Sequence, residues 1–167
     1  MKRDDTKRFG FSIIGCGIVL LGLGLPGAVV AEQKCFPAQG KFESQTQPPQ
    51  ECTAPIYFCT LGALTGTLHG EYRFTAQQMI PANEPSVPAA YFYSGYSVVK
   101  ADKGELYLTD TGALDMLAGR IGTLLTVTGG TDLYDGATGY LIVHGSSDAV
   151  TQTNTGRYLG EVCVVRE

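Results

Sequence analysis

The sequence has no tryptophan, only two histidines among 167 residues, and charged side chains at just 17% of its positions. Its basic residues form no cluster beyond the first eight positions, which disfavours nucleic acids and anionic lipid surfaces as partners. The glycine cluster at 129–139 is followed by neither a helix pattern nor a Lys-Ser or Lys-Thr pair, so it is not a phosphate-binding loop. No long segment shows helical periodicity, and the absences together favour an all-β protein.

The patterns typical of a metal centre are also missing. No two of the five cysteines have Cys-x-x-Cys spacing, and no histidine lies near them. Asp132 and Asp135 could hold calcium together with turn carbonyls, but aspartate in a glycine-rich segment more simply stabilises a turn. We therefore predict no metal ion and no cofactor.

Residues 1–31 have the composition of a secretory signal. A basic start precedes an apolar, glycine-rich run over residues 9–31, and the small residues at its end fit cleavage after Ala31. The run is long enough to span a bilayer, so a retained anchor is the alternative, although its glycines and Pro26 disfavour a helix. We expect cleavage and a secreted or periplasmic protein without a membrane span.

Cleavage would leave 136 of the 167 residues, enough for one domain with its own core. Because the first 31 residues hold four of the 12 basic and two of the 16 acidic residues, the remainder would carry a net charge of −6. Four cysteines would remain, and an even number in an exported chain predicts two disulfides. The short Cys52–Cys59 spacing favours a local loop and leaves Cys35 for Cys163; a Cys59–Cys163 bond is the main alternative.

The remaining chain divides at a change in composition. Residues 32–55 are rich in Gln, Pro and Ser and predict an irregular leader, whereas residues 56–167 predict a β domain. Residues 64–74 alternate between apolar and polar positions and predict one continuous strand. Further strands are predicted over 89–100, 104–110, 122–128, 139–144 and 156–166, with a link at 111–119.

The most distinctive segment lies at residues 124–145. It contains the sequence Val127-Thr128-Gly129-Gly130-Thr131 and, after a short step, Gly136-Ala137-Thr138-Gly139 before the next strand. This corner, with the Gly-x-Leu-x-Leu-x-Asp strand at 104–110 and the Gly-Arg-Tyr-x-Gly strand at 156–160, resembles the allene oxide cyclase and dirigent barrels. The resemblance covers roughly residues 60–165. It implies a closed up-and-down antiparallel β-barrel of about eight strands, with an apolar cavity and often a trimeric assembly.

The resemblance does not carry over catalytic residues, because no residue here aligns with the carboxylate of the cyclases. We predict ligand-pocket positions from strand alternation instead: Tyr72, Tyr140 and Tyr158 on core-facing sides, and His144 in phase with Tyr140. The alternatives are tyrosines that fill a solid barrel and a histidine bonded to a neighbour at a strand end. A further set, Tyr91, Tyr93 and Tyr96, could form a trimer contact on the outside of the sheet.

Three functions fit these features. The leading hypothesis is an exported barrel that binds a small apolar molecule, and the second is an isomerase or cyclase that acts on a reactive apolar substrate. The third is a structural or surface protein with a filled barrel and an assembling outer face. A cavity with a buried carboxylate or histidine would favour the enzyme, a cavity without ionisable groups would favour binding, and a solid interior would favour the structural role.

Overall fold

The structure of the protein is a computed structural model that describes residues 32–83, 85–86 and 88–165. The expected signal sequence, residues 1–31, lies outside the described residues. The described chain forms eight strands: β1 (Gln33–Thr46), β2 (Cys59–Gly66), β3 (Gly70–Pro81), β4 (Ala90–Ala101), β5 (Gly104–Asp115), β6 (Arg120–Gly130), β7 (Thr138–Asp148) and β8 (Thr153–Val165). Two short 3₁₀ turns, Pro49–Glu51 and Asp132–Tyr134, complete these elements.

The eight strands form a closed barrel in which every neighbouring pair is antiparallel. Each strand pairs with the next one along the chain, and β8 returns to pair with β1. This architecture confirms the predicted all-β, up-and-down barrel and agrees with the fold that the resemblance implies. Over the described ranges, no helix is both long and apolar enough to cross a membrane.

The prediction of an irregular leader over residues 32–55 was wrong. Most of that segment is β1, a 14-residue strand that pairs with both β2 and β8. Its inward positions are Phe36, Ala38, Gly40, Phe42 and Ser44, so only two large apolar side chains mark the strand in the sequence. Backbone pairing on both edges stabilises β1 together with the packing of Phe36, Ala38 and Phe42 in the core.

The predicted continuous strand over residues 64–74 is a hairpin instead. β2 ends at Gly66, which has a φ of +109° that only glycine adopts without strain, and β3 begins at Gly70. The even-numbered apolar positions keep their phase through the turn, and Leu68 at its tip is fully buried. The predicted link at 111–119 is likewise shorter, because β5 continues to Asp115.

One end of the barrel is closed by its own side chains. This closed end carries the β2–β3, β4–β5 and β6–β7 turns, and its interior is packed with Leu68, Leu106, Val127, Tyr134 and Val162. The Tyr158 hydroxyl accepts a hydrogen bond from the Leu68 N–H at 2.9 Å and lies 3.0 Å from the Leu68 carbonyl oxygen, so it holds the β2–β3 turn. The opposite end, the open end, carries the connections from β1 to β2, from β3 to β4, from β5 to β6 and from β7 to β8.

Two disulfide bonds cross-link the barrel. Cys35 and Cys163 lie directly opposite each other in the β1–β8 ladder, so their bond crosses the seam that closes the barrel. Cys52 and Cys59 close a local loop that leads into β2 at the open end.

We expect the two disulfides to differ in their effect on stability. Cys35→Ala/Cys163→Ala opens a loop with a sequence separation of 128 residues, and chain entropy assigns such a loop about 5 kcal/mol. Cys52→Ala/Cys59→Ala opens a separation of only 7 residues, for which the same relation gives about 2.5 kcal/mol. Urea unfolding of both double variants measures the difference, and a larger loss for the Cys52–Cys59 variant would contradict this ranking.

Candidate functional site

The barrel interior contains a cavity of about 60 Å³ in the half nearer the open end. Its lining is mostly apolar, and eight polar side chains among the described residues contribute to it: Ser44, Thr60, Tyr72, Tyr93, Asp110, Thr123, Asn154 and Tyr158. The volume exceeds the roughly 10–15 Å³ that one water molecule needs, but it is below the roughly 300–1,000 Å³ of ordinary ligand pockets. Anything much larger than a few water molecules therefore requires lining side chains to move.

Asp110 is the only carboxylate among the described residues that line this cavity. It lies on β5 in phase with the inward Leu106 and Leu108, and its side chain is 2% exposed. Its Oδ2 accepts a hydrogen bond of 2.6 Å from the Ser97 hydroxyl, while Oδ1 has no partner among the described residues. Burial raises the pKa of Asp110 to about 7, against the opposing effect of the Ser97 hydrogen bond. The carboxyl can therefore exchange a proton near neutral pH.

Tyr72 extends this polar cluster across β3, β4 and β5. Its hydroxyl lies 3.2 Å from the Ser97 Oγ, which bridges Tyr72 and Asp110. Since Ser97 has a single hydroxyl proton, it can donate to only one of these neighbours at a time. Burial, and then the charge of Asp110, raise the pKa of Tyr72 well above its usual range. Tyr72 therefore remains a neutral hydroxyl that can donate a proton to a hydrogen bond.

Tyr93 crosses the cavity from β4 and forms a hydrogen bond with Thr123 on β6. Glycine at position 112 makes room for the ring, because a Cβ atom there would lie 2.6 Å from the Tyr93 Cζ. The ring also packs edge-on against Phe74, with a centroid distance of 5.6 Å. Burial raises the pKa of Tyr93 to about 12, so its hydroxyl is also neutral.

Asn154 supplies a second unpaired group in the cavity wall. It lies on β8, is 5% exposed, and its Nδ2 donor has no partner among the described residues. The cavity thus offers an unpaired acceptor at Asp110 and an unpaired donor at Asn154. A buried polar group without a partner costs about 1–3 kcal/mol, and a bound molecule or water could recover this cost.

The structure brings together only two of the four predicted pocket residues. Tyr72 and Tyr158 line the cavity, although the Tyr158 hydroxyl is engaged with the β2–β3 turn. The assignment of Tyr140 and His144 to the pocket was wrong, because both lie on the outer face of β7 and Tyr140 is 47% exposed. Apolar side chains occur on both faces of β7, so alternation alone cannot tell which face points inward. In the structure the inward face carries Leu141 and Val143.

The most polar part of the site was missed. The predicted strand Gly-x-Leu-x-Leu-x-Asp places Asp110 in phase with two leucines, which is a local signal for an inward carboxylate. Tyr93 was expected to be a candidate outer-surface residue, whereas its ring lies in the cavity and Tyr96 lies outside. Ser97 and Asn154 carry no comparable signal, because small polar residues also occupy many exposed strand positions.

Comparison with known proteins adds little to this geometry. No family model matches the sequence, and no curated protein is similar enough in sequence to match. Among solved structures, a pterocarpan synthase dirigent protein is similar with a TM-score of 0.44 and 12% identity, covering 81% of this chain and 88% of that one. The role of the cavity is therefore inferred from its own residues.

Asp110→Asn should remove a pH dependence of stability. The folded pKa of about 7 lies above the unfolded value of about 3.9, so the folded protein holds the proton more tightly. The resulting stabilisation is present below about pH 4 and is lost as the pH rises through 7, by up to about 4 kcal/mol at 1.36 kcal/mol for each pKa unit. Urea unfolding from pH 4 to 8 should show this loss in the wild type and not in Asp110→Asn.

Asp148→Asn is the matched control, because the Val150 and Thr151 N–H groups lower the pKa of Asp148. Because a lowered carboxyl pKa stabilises the folded state above about pH 4, Asp148→Asn should be less stable than the wild type above that pH. This effect is opposite in sign to that of Asp110→Asn. Identical profiles for the wild type and Asp110→Asn would show that Asp110 does not titrate in this range.

Proposed function

We propose that the barrel binds a small, mainly apolar molecule in its cavity and accepts a hydrogen bond from it at the Asp110 Oδ1. The observation that supports this proposal is the buried, unpaired carboxylate oxygen facing a largely apolar cavity. An apolar lining with a few polar groups is typical of small-molecule sites, where the polar groups fix orientation. Asn154 provides a second fixed contact for an acceptor on the same molecule.

Entry of such a molecule requires side chains to move at the open end. Phe42, Phe58, Tyr93 and Ile121 line that end of the cavity and are only partly buried. Phe58 precedes β2 rather than belonging to a strand, so it can move with less disruption of the ladders than the others. A planar ring that slides between these aromatic and aliphatic side chains is the shape best suited to this path.

A second candidate function is an isomerase or cyclase, and the pKa of Asp110 favours it. A carboxyl that titrates near pH 7 can take a proton from one atom of a bound molecule and return it to another atom. The surrounding apolar wall would keep water away from the intermediate, while the neutral Tyr72 hydroxyl lies next to the same cluster through Ser97. A buried carboxylate in the cavity is the feature expected of an enzyme rather than of a purely apolar binding site, so it supports this alternative.

We also propose that the protein works outside the cytoplasm, as the signal-like residues 1–31 suggest. Two disulfides support this location, because such bonds form and persist in oxidising compartments. The choice between a periplasmic and an extracellular location does not affect the chemistry of the cavity.

Phenol and toluene form a matched pair of probes, because they share a ring and differ in the hydroxyl donor. We expect the wild type to bind phenol more tightly than toluene, and Asp110→Leu to weaken phenol binding at least tenfold while leaving toluene binding unchanged. Asp135→Asn, on the exposed β6–β7 turn, is the control and should bind both as the wild type does. Calorimetry and amide chemical shifts measure both affinities. Equal binding of the two probes, or of neither, would contradict the proposal.

The same variants separate binding from catalysis. Cyclohex-3-enone becomes cyclohex-2-enone when a base removes an α proton and returns it at the γ carbon, and the conjugated product is followed by its absorbance. Faster conversion by the wild type than by Asp110→Asn would support the isomerase. Binding of phenol without any such conversion would favour a binding protein.

A row of exposed apolar residues on the outer face supports the proposed self-association. Leu124, Ile142 and Leu159 are direct neighbours across β6, β7 and β8, and they are 47%, 43% and 60% exposed. We propose that this row contacts a second copy in the trimer that the resemblance implies. Ile142→Glu should convert the assembly to a monomer in sedimentation analysis, whereas Tyr96→Glu on β4 should not. A wild-type monomer at high concentration would exclude the assembly.

A further inference from the structure

We propose a second ligand site at the closed end of the barrel that binds an amphipathic anion, a carboxylate with an apolar chain. A cleft of about 530 Å³ lies there, within the size range of ordinary ligand pockets. It shares no lining residue with the central cavity, and Leu68 and Leu106 of the packed closed end belong to neither lining. This inference is independent of the function proposed for Asp110.

The floor of the cleft is apolar. Phe36, Tyr134 and Val164 form much of it, and both Tyr134 and Val164 are buried. Leu133 projects beside them and is still 43% exposed, so a large apolar side chain next to the floor lacks full cover. An apolar chain placed against these groups would remove apolar surface from water.

Backbone hydrogen bonds hold the floor in place. The Leu133 N–H donates to the Lys103 carbonyl at 3.1 Å, and the Thr131 N–H donates to the Glu105 carbonyl at 2.8 Å. These bonds fix the Asp132–Tyr134 turn against the β4–β5 turn. The cleft is thus formed by fixed backbone and needs little rearrangement to accept a ligand.

The rim of the cleft is cationic, in contrast to the chain as a whole. Lys34 on β1 and Lys103 on the β4–β5 turn line it together with His69 on the β2–β3 turn, and Asp102 is the only carboxylate that the described part of the chain adds to the lining. The full chain carries a net charge of −4. Two lysines from different elements around one cleft therefore give this region a charge opposite in sign to that of the chain. Lysine ammonium groups at the rim can pair with a carboxylate while its chain lies on the apolar floor.

Other ligand classes fit these features less well. A small inorganic anion would pair with the lysines but would leave the floor and Leu133 in contact with water. A neutral apolar molecule would cover the floor but would gain nothing from Lys34 and Lys103. Only a ligand with both an anionic group and an apolar chain contacts the lysines and the apolar floor together.

Dodecanoate tests this site, with dodecan-1-ol as a neutral probe of the same length. In the full-length protein, we expect Lys34→Gln/Lys103→Gln to weaken dodecanoate binding at least tenfold and to leave dodecan-1-ol binding unchanged. Lys41→Gln/Arg73→Gln removes the same charge from exposed strand positions outside the cleft and should change neither affinity. Asp110→Leu should also leave dodecanoate binding unchanged.

Amide chemical shifts locate the ligand directly. Dodecanoate should shift the resonances of Thr67, Leu133 and Tyr134 rather than those of Tyr93 and Asp110. No binding by the wild type, or equal affinity in the wild type and the lysine variant, would overturn the proposal. An equal loss in both double variants would also overturn it, because the effect would then be one of net charge. Urea unfolding verifies that each variant is folded.

Discussion

The pairing of β1 with β8 is the constraint on which the rest of the structure depends. Thirteen residue pairs, from Gln33 opposite Val165 to Gln45 opposite Thr153, join the two ends of the chain. Without this ladder the sheet would have two long exposed edges, and the cavity would lack one wall. The Cys35–Cys163 bond lies within the ladder, so covalent and hydrogen-bonded closure act at the same seam.

Closure creates a narrow interior that side chains from all eight strands must share. Large side chains fit there because they lie next to small residues. The Tyr93 ring lies over Gly112, and the Tyr158 hydroxyl reaches the β2–β3 turn past Gly40, where a Cβ atom would lie 2.5 Å from it. Inward glycines leave room for aromatic rings inside the barrel. The interior can then pack at a density close to that of crystals of small organic molecules. The pair of Tyr158 and Gly40 helps to fill the closed end, and the remaining space lies at the other end.

The cavity matters because its wall contains polar groups that the fold does not satisfy. Asp110 and Asn154 each keep one unpaired buried atom, although most buried polar groups in folded proteins are paired. A barrel that only needed a filled interior would be more stable with apolar residues at these positions. The cost of keeping them supports a binding or proton-transfer role, and the Ser97 hydroxyl, which also contacts Tyr72, positions the carboxyl.

Local sequence patterns were enough to predict the all-β class, the glycine corners, most strand positions and the inward phase of Tyr72 and Tyr158, because alternation and turn chemistry are local. The tertiary structure decided what local patterns cannot encode. It revealed β1 in a segment with few large apolar residues, since pairing with β2 and β8 adds to the limited apolar burial there. It assigned Tyr140 and His144 to the outer face, because a strand with apolar residues on both sides takes its orientation from the closed barrel. It also brought Ser97 and Tyr93 from β4 and Asn154 from β8 to the cavity region around Asp110 on β5, since only the register of a complete sheet brings residues so distant in sequence together.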